Sequence, residues 1–273
     1  MTEGRRGPRT AFAALLLVPS GAAALAHEAV WARLWTPYAG AGVATSSAVV
    51  AGALLGLAAG AALGGRLTER VRRPARLFVA AEAIGAVLCL LVLPLAAILR
   101  AADASGAFSP GLPTRLLLVA GACAVPCLPL GASLPALVRA VVVRPGTAGA
   151  LLRWLYAANT VGAVAGVLLA TGWGFEMLGL SGTVRAAVAA QALVAVGGLW
   201  LDAVSPGPNS LPSVAPASAR ALRVSGLEVA AFLSGAAGLA VQVAWIRRLT
   251  PALGTTSYAF GTVLAAYLLA VAL

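Results

Sequence analysis

The sequence predicts an all-α polytopic membrane protein of about eight transmembrane helices. Three observations carry this. Of 273 residues, 61% are hydrophobic and 10% are charged, with a mean hydropathy of +0.96; an ordinary soluble domain is about half apolar and a quarter charged. The apolar residues fall in long unbroken runs rather than the alternation of a β-barrel strand. The arginines gather mainly in short stretches between those runs. A soluble globular domain, a disordered tail and a coiled coil are excluded.

A spanning helix needs about 20 mostly apolar residues. In order, the candidate spans are Ala11 to Leu34, Val43 to Gly64, Leu77 to Leu99, Leu116 to Val143, Leu151 to Phe175, Thr183 to Leu201, Leu227 to Leu249 and Ser257 to Leu273. The fourth carries Pro126, Pro129 and Pro135. A packed membrane helix accepts them where neighbours re-satisfy the freed carbonyls.

All 19 basic residues are arginine, and the net charge is +11. A nucleic-acid binder would place that charge on one face among aromatics, so nucleic acid is not an expected partner; the lipid bilayer is. Arg5, Arg6 and Arg9 precede the first span, and Arg66, Arg70, Arg72, Arg73 and Arg76 follow the second. Arg139, Arg144 and Arg153 surround the loop after the fourth, and Arg220 and Arg223 lie between the sixth and seventh. Arg33, Arg100, Arg115, Arg185, Arg247 and Arg248 are the minority on the other side. By the positive-inside rule the N-terminus is cytoplasmic, and the expected location is a bacterial inner (plasma) membrane.

Residues Ser20 to Gly40 read SGAAALAHEAVWARLWTPYAG, and Ser234 to Gly254 read SGAAGLAVQVAWIRRLTPALG. The Trp31/Trp245, Arg33/Arg247 and Pro37/Pro251 coincidences go beyond Ala/Gly bias. Arg5 to Arg9, an apolar stretch and Ala24-Leu25-Ala26 have the form of a secretory signal cut before His27. The second copy lies mid-chain, which argues for a retained helix instead. Six spans separate the copies, an even number, so both point the same way. That predicts a parallel repeat of six-helix units, the relation between the halves of major facilitator transporters. The expected organisation is a first six-helix repeat over 1–201, a Pro/Ser-rich cytoplasmic linker over 202–226, and the first two helices of a second, truncated repeat over 227–273.

Several stretches then resemble one family. Ser20-Gly21-Ala22-Ala23 with Glu28, Trp31 and Arg33, and Ser257-Tyr258-Ala259-Phe260 with Thr262-Val263-Leu264-Ala265-Ala266, are similar to the membrane region of fused major-facilitator/spermidine-synthase-like bacterial proteins. So are Gly131-Ala132-Ser133-Leu134-Pro135, the string from Leu155 to Ala163 (LYAANTVGA), and Leu178 to Thr183 (LGLSGT). The resemblance implies a major-facilitator-like bundle that usually precedes a soluble aminopropyltransferase-like domain. This chain departs from it by carrying no nucleotide-binding glycine loop and no acidic polyamine site, so no catalytic residue is transferred. The loop Gly64 to Arg73 looks like the loop between helices two and three of major facilitators, where an acid and arginines form a cytoplasmic charge network. Here Glu69 would be the acid, with Arg66, Arg70, Arg72 and Arg73 around it; a plain solvated loop is the alternative.

Charges at membrane depth cost roughly 2.5–3.5 kcal/mol on insertion scales, so each needs a reason. His27 and Glu28 fall in the outer half of the first span. Either Glu28 is interfacial and Trp31 and Trp35 belong to an aromatic belt, or Glu28 faces a cavity and binds a cation or proton with His27 beside it. Gln242 replaces the acid in the second copy. Glu82, two turns into the third span, is expected to pair with Arg76 at the inner surface. Tyr156, Asn159 and Thr160 share a stretch of the fifth span and either bond a neighbouring helix or line a cavity; Gly162 and Gly166 are spaced for close helix contact. Cys89, Cys123 and Cys127 are read as packing residues, so no metal and no cofactor is expected. Ser20, Ser133 and Ser181 sit near glycines, but His27, the only histidine and on the outer side, is a poor base for Ser–His chemistry.

The functional expectation is a membrane domain of transporter type for a small cationic or polar metabolite, polyamine-like chemistry included. The alternative is a non-transporting anchor or platform for an aminopropyltransferase-like domain.

Overall fold

The computed structural model describes residues 8–141, 148–204, 226–253 and 256–272. The linker read over 202–226 falls almost wholly outside them, as do Arg5, Arg6, Arg144, Arg220 and Arg223. The described residues are 93% helical, with no strand among them. The helices are α1 (Pro8–Leu34), the short α2 (Thr36–Ala39), α3 (Val43–Arg70), α4 (Pro74–Ala104), α5 (Leu112–Val141), α6 (Ala148–Leu169), α7 (Phe175–Met177), α8 (Gly179–Ala203), α9 (Gly226–Leu253) and α10 (Thr256–Ala272). A π-helical turn, Ala170–Gly174, joins α6 to α7. Seven of the described helical spans are long and apolar enough to cross a membrane, and Tyr258–Ala270 is a shorter apolar helix. The protein is an all-α polytopic membrane protein.

Why these segments are helical follows from solvent. In hydrocarbon every backbone N–H and C=O must be satisfied within the chain, which favours unbroken helices. α5 stays continuous through Pro126, Pro129 and Pro135. Glycine stops the chain where a left-handed residue is needed: Gly40, at φ +95°, ends α2.

Two parallel helix pairs organise the bundle. α3 lies along α5, with Gly52, Gly56, Gly60 and Gly64 meeting Ala120, Ala124, Leu128 and Ala132 in turn. A β-carbon at Gly60 would collide with the carbonyl of Leu128. α1 lies along α6 in the same manner, Gly162 against Val18 and Gly166 against Ala22, as their spacing predicted. α4 packs against α5 and α8, and α8 against α1.

The connections place the helix ends on two faces. At one, Arg9 donates to the carbonyl of Val204, and Arg73 and Arg76 pair with Asp202 at 3.2 and 2.9 Å. At the other, Arg115 forms a two-pronged pair with Asp103 (2.6 and 2.7 Å) and donates to the carbonyl of Tyr38. On that same face Arg33 lies over the Phe175 ring and Tyr258 donates to Glu176.

α9 sits beside the start of α3: Gln242, Val243 and Ile246 face Val43, Ser46 and Val50. Its C-terminal half therefore lies at the same face as that of α1, the direction the repeat predicts. Their surroundings differ. Trp31 is 1% exposed and Trp245 is 53% exposed, because α1 is enclosed by neighbours while α9 contacts chiefly α10 and the start of α3 among the described residues.

Two predictions follow from this packing. Gly60→Ala forces the α3–α5 backbones apart and should lower stability by about 1–3 kcal/mol. Gly65→Ala, with open space at its β-carbon, should change it by less than about 0.5 kcal/mol; thermal unfolding of the purified protein in detergent compares them. For topology, Gly42→Cys and Leu253→Cys should react with a membrane-impermeant maleimide from one side of sealed vesicles, and Val71→Cys from the other. The three native cysteines are buried and should stay silent.

Candidate functional site

The polar residues of the interior converge on α1. Ser20, His27, Glu28 and Trp31 are spaced so that helical periodicity puts them within one sector of about 100°. All four are buried. The glycine-lined side of α1 is taken by α6, so this sector turns toward α4, α5 and α8.

His27 is fully buried and meets Gln191 of α8, with Nε2 and Oε1 3.0 Å apart. With the amide oxygen as acceptor, Nε2 is the donor and Nδ1 is the bare nitrogen. Nδ1 has no partner, and neither has Nε2 of Gln191. The imidazole also stacks on Trp31, ring centroids 5.8 Å apart and planes 18° apart. Glu28, 8% exposed, lies within electrostatic reach of Cys123 and Cys127 on α5, and among the described residues it has no ion-pair partner. Trp31 and Trp35 are 1% and 0% exposed, so they are core residues and form no lipid-facing belt.

Glu82 differs from its expected place. It makes no inner-surface pair with Arg76, which is held with Arg73 by Asp202 at the end of α8. Six residues beyond Arg76, Glu82 stands about 9 Å further along α4 and turns inward to α1. Ser20 Oγ donates to its Oε1 at 2.7 Å, while Oε2 has no partner. Ser133 of α5 lies beside the same carboxyl and donates to the carbonyl of Leu130 at 2.8 Å.

The other predicted residues are distributed more widely. Arg66, Glu69 and Arg70 are exposed in the last turns of α3 and Arg72 on the turn after it, and they make no ion pair with a described residue; in the charge contacts at that face the acid is Asp202. Tyr156 is 47% exposed on the bundle surface. Asn159 is half-buried against Gly21 on the α6 side of α1. Gln242 is buried and lines an apolar cleft of about 310 Å³ with Trp245, Thr262 and Tyr267 between α9 and α10. His27 and Glu28 therefore share one neighbourhood, and Tyr156, Asn159 and Gln242 do not join them.

Sequence reasoning missed Ser20, Ser133, Gln191 and Asp202 as partners. The signal for the first three was a polar residue within an apolar span, and for Asp202 an acid at the end of a helix that terminates on the arginine-rich face.

Chemically the arrangement can hold a proton or cation and hydrogen-bond a polar solute. Among the described residues His27 hydrogen-bonds Gln191 and no hydroxyl or thiol, and no three of the described His, Cys, Asp and Glu residues form a metal-binding group. Comparison with protein-family models, with curated proteins and with solved structures gives no match.

Proposed function

We propose that this membrane domain is of transporter type, carrying a small cationic or polar metabolite, with Glu28 and His27 at the solute or proton site. The observation that carries the reading is the buried polar sector of α1, where His27 Nδ1 and Gln191 Nε2 lack protein partners. Leaving a buried donor or acceptor unpaired costs about 1–3 kcal/mol, and an intramembrane ionisable group is by default a functional one. A scaffold that only anchored another domain would gain nothing from either.

The chemistry suits an ammonium-bearing solute. Glu28 supplies the negative charge, Trp31 and Trp35 supply aromatic faces that attract cations, and the Gln191 amide supplies hydrogen bonds. A polyamine-like substrate fits this set. The reading includes a cytoplasmic N-terminus in a bacterial inner membrane, and two six-helix units related by a parallel repeat.

The test is uptake of a labelled diamine or polyamine by proteoliposomes of the full chain across a range of pH. Glu28→Gln should lower the rate at least about tenfold, equivalent to about 1.4 kcal/mol of lost stabilisation, and flatten its pH dependence. Unchanged rate and pH profile in this variant would remove the carboxylate from the mechanism. Wild-type vesicles without flux would favour the platform reading instead.

A further inference from the structure

We propose that Glu82, Ser20 and Ser133 form a binding site for an alkali-metal cation where α1, α4 and α5 meet. Each hydroxyl proton of the cluster has an acceptor within it or on its own helix: that of Ser20 goes to Glu82 Oε1, and that of Ser133 to the carbonyl of Leu130 or to the Glu82 carboxyl beside it. What remains is oxygen lone pairs on Ser20 Oγ, Ser133 Oγ and Glu82 Oε2. Glu82 is 0% exposed and Oε2 has no partner. A cluster of acceptors without a donor is the complement of a cation.

α4 and α5 approach closely at this level, a β-carbon at Gly85 being barred by the Leu130 side chain. Charge decides the valence. One carboxylate balances one positive charge, and a divalent ion would leave a net charge in a low-dielectric interior. Arg73 and Arg76, at the start of α4, are held by Asp202.

The site stands apart from Glu28, so its readout needs no transport. The full chain, purified in detergent, is unfolded thermally in sodium or potassium chloride and in choline chloride at equal ionic strength and fixed pH. A saturable rise in Tm of at least about 2 °C in an alkali salt over choline is expected from binding linked to the folded state. Glu82→Gln should abolish the rise, and Ser133→Ala should move its midpoint to higher salt. Equal Tm in all three salts, or a response to pH alone, overturns the proposal, as does an undiminished rise in Glu82→Gln. Should Glu82→Gln not fold, the wild-type salt comparison and Ser133→Ala decide. Loss of the sodium effect with Glu28-dependent uptake intact would leave the transport reading standing.

Discussion

Backbone-to-backbone approach along glycine and alanine is the constraint on which the bundle rests. Lipid tails are as apolar as leucine, so burying large side chains between membrane helices gains little; association relies on close packing and a few polar contacts. The four glycines of α3, one per turn, set it against α5, and Gly162 and Gly166 set α6 against α1. Fixing α1 against α6 also fixes its rotation. With the small-residue side committed, the sector bearing Ser20, His27, Glu28 and Trp31 has to face α4, α5 and α8. The position of the candidate site is therefore a consequence of steric packing on the opposite side of the same helix.

The comparison of α1 with α9 separates what a motif encodes from what its surroundings impose. Both carry the Ser-Gly-Ala-Ala opening and the Trp, Arg and Thr-Pro that follow. Both run the same way. Yet His27 is replaced by Val241, which is 56% exposed, while Gln242 in place of Glu28 remains buried. The acid and imidazole occur in the copy enclosed on several sides, where His27 meets Gln191 of α8. A tolerable polar group in the less enclosed copy is a neutral amide.

The number and order of the helices were legible because a bilayer imposes length and apolarity on each, and residues such as Gly162 and Gly166 announce close contact by spacing alone. Partners were not. His27 finds Gln191 across 164 positions of sequence, and Arg76 finds Asp202 across 126; such pairings depend on helix rotation and neighbour order, which periodicity does not contain. Glu82 is the instructive case. Its distance from the arginine loop suggested a surface pair, but the direction of its side chain depends on where α4 sits relative to α1, and there Ser20 was the nearer group. Asp202 was passed over for Glu69 for a related reason. Proximity in sequence favoured Glu69, whereas proximity in space favoured an acid at the end of α8.

Two kinds of interface result, and they differ in what they permit. Interdigitated glycine contacts resist sliding, since any shift drives a side chain into a backbone carbonyl. Polar contacts also tie α4 and α8 to α1 and to each other, Glu82 to Ser20, Gln191 to His27, Arg73 and Arg76 to Asp202, but α8 in addition packs closely on both neighbours, Gly197 against Leu16 and Gly198 against Phe78. The Asp202 pairs lie where the arginines are 47% and 64% exposed, a setting in which ion pairs contribute at most about 1 kcal/mol. Of the seams around the polar sector, α1–α4 is the slightest, whereas α8 is packed on both α1 and α4; rearrangement within the bundle thus meets least resistance along α1–α4. The Ser20–Glu82 contact lies on that seam, so occupancy of its cluster bears directly on the interface most able to respond.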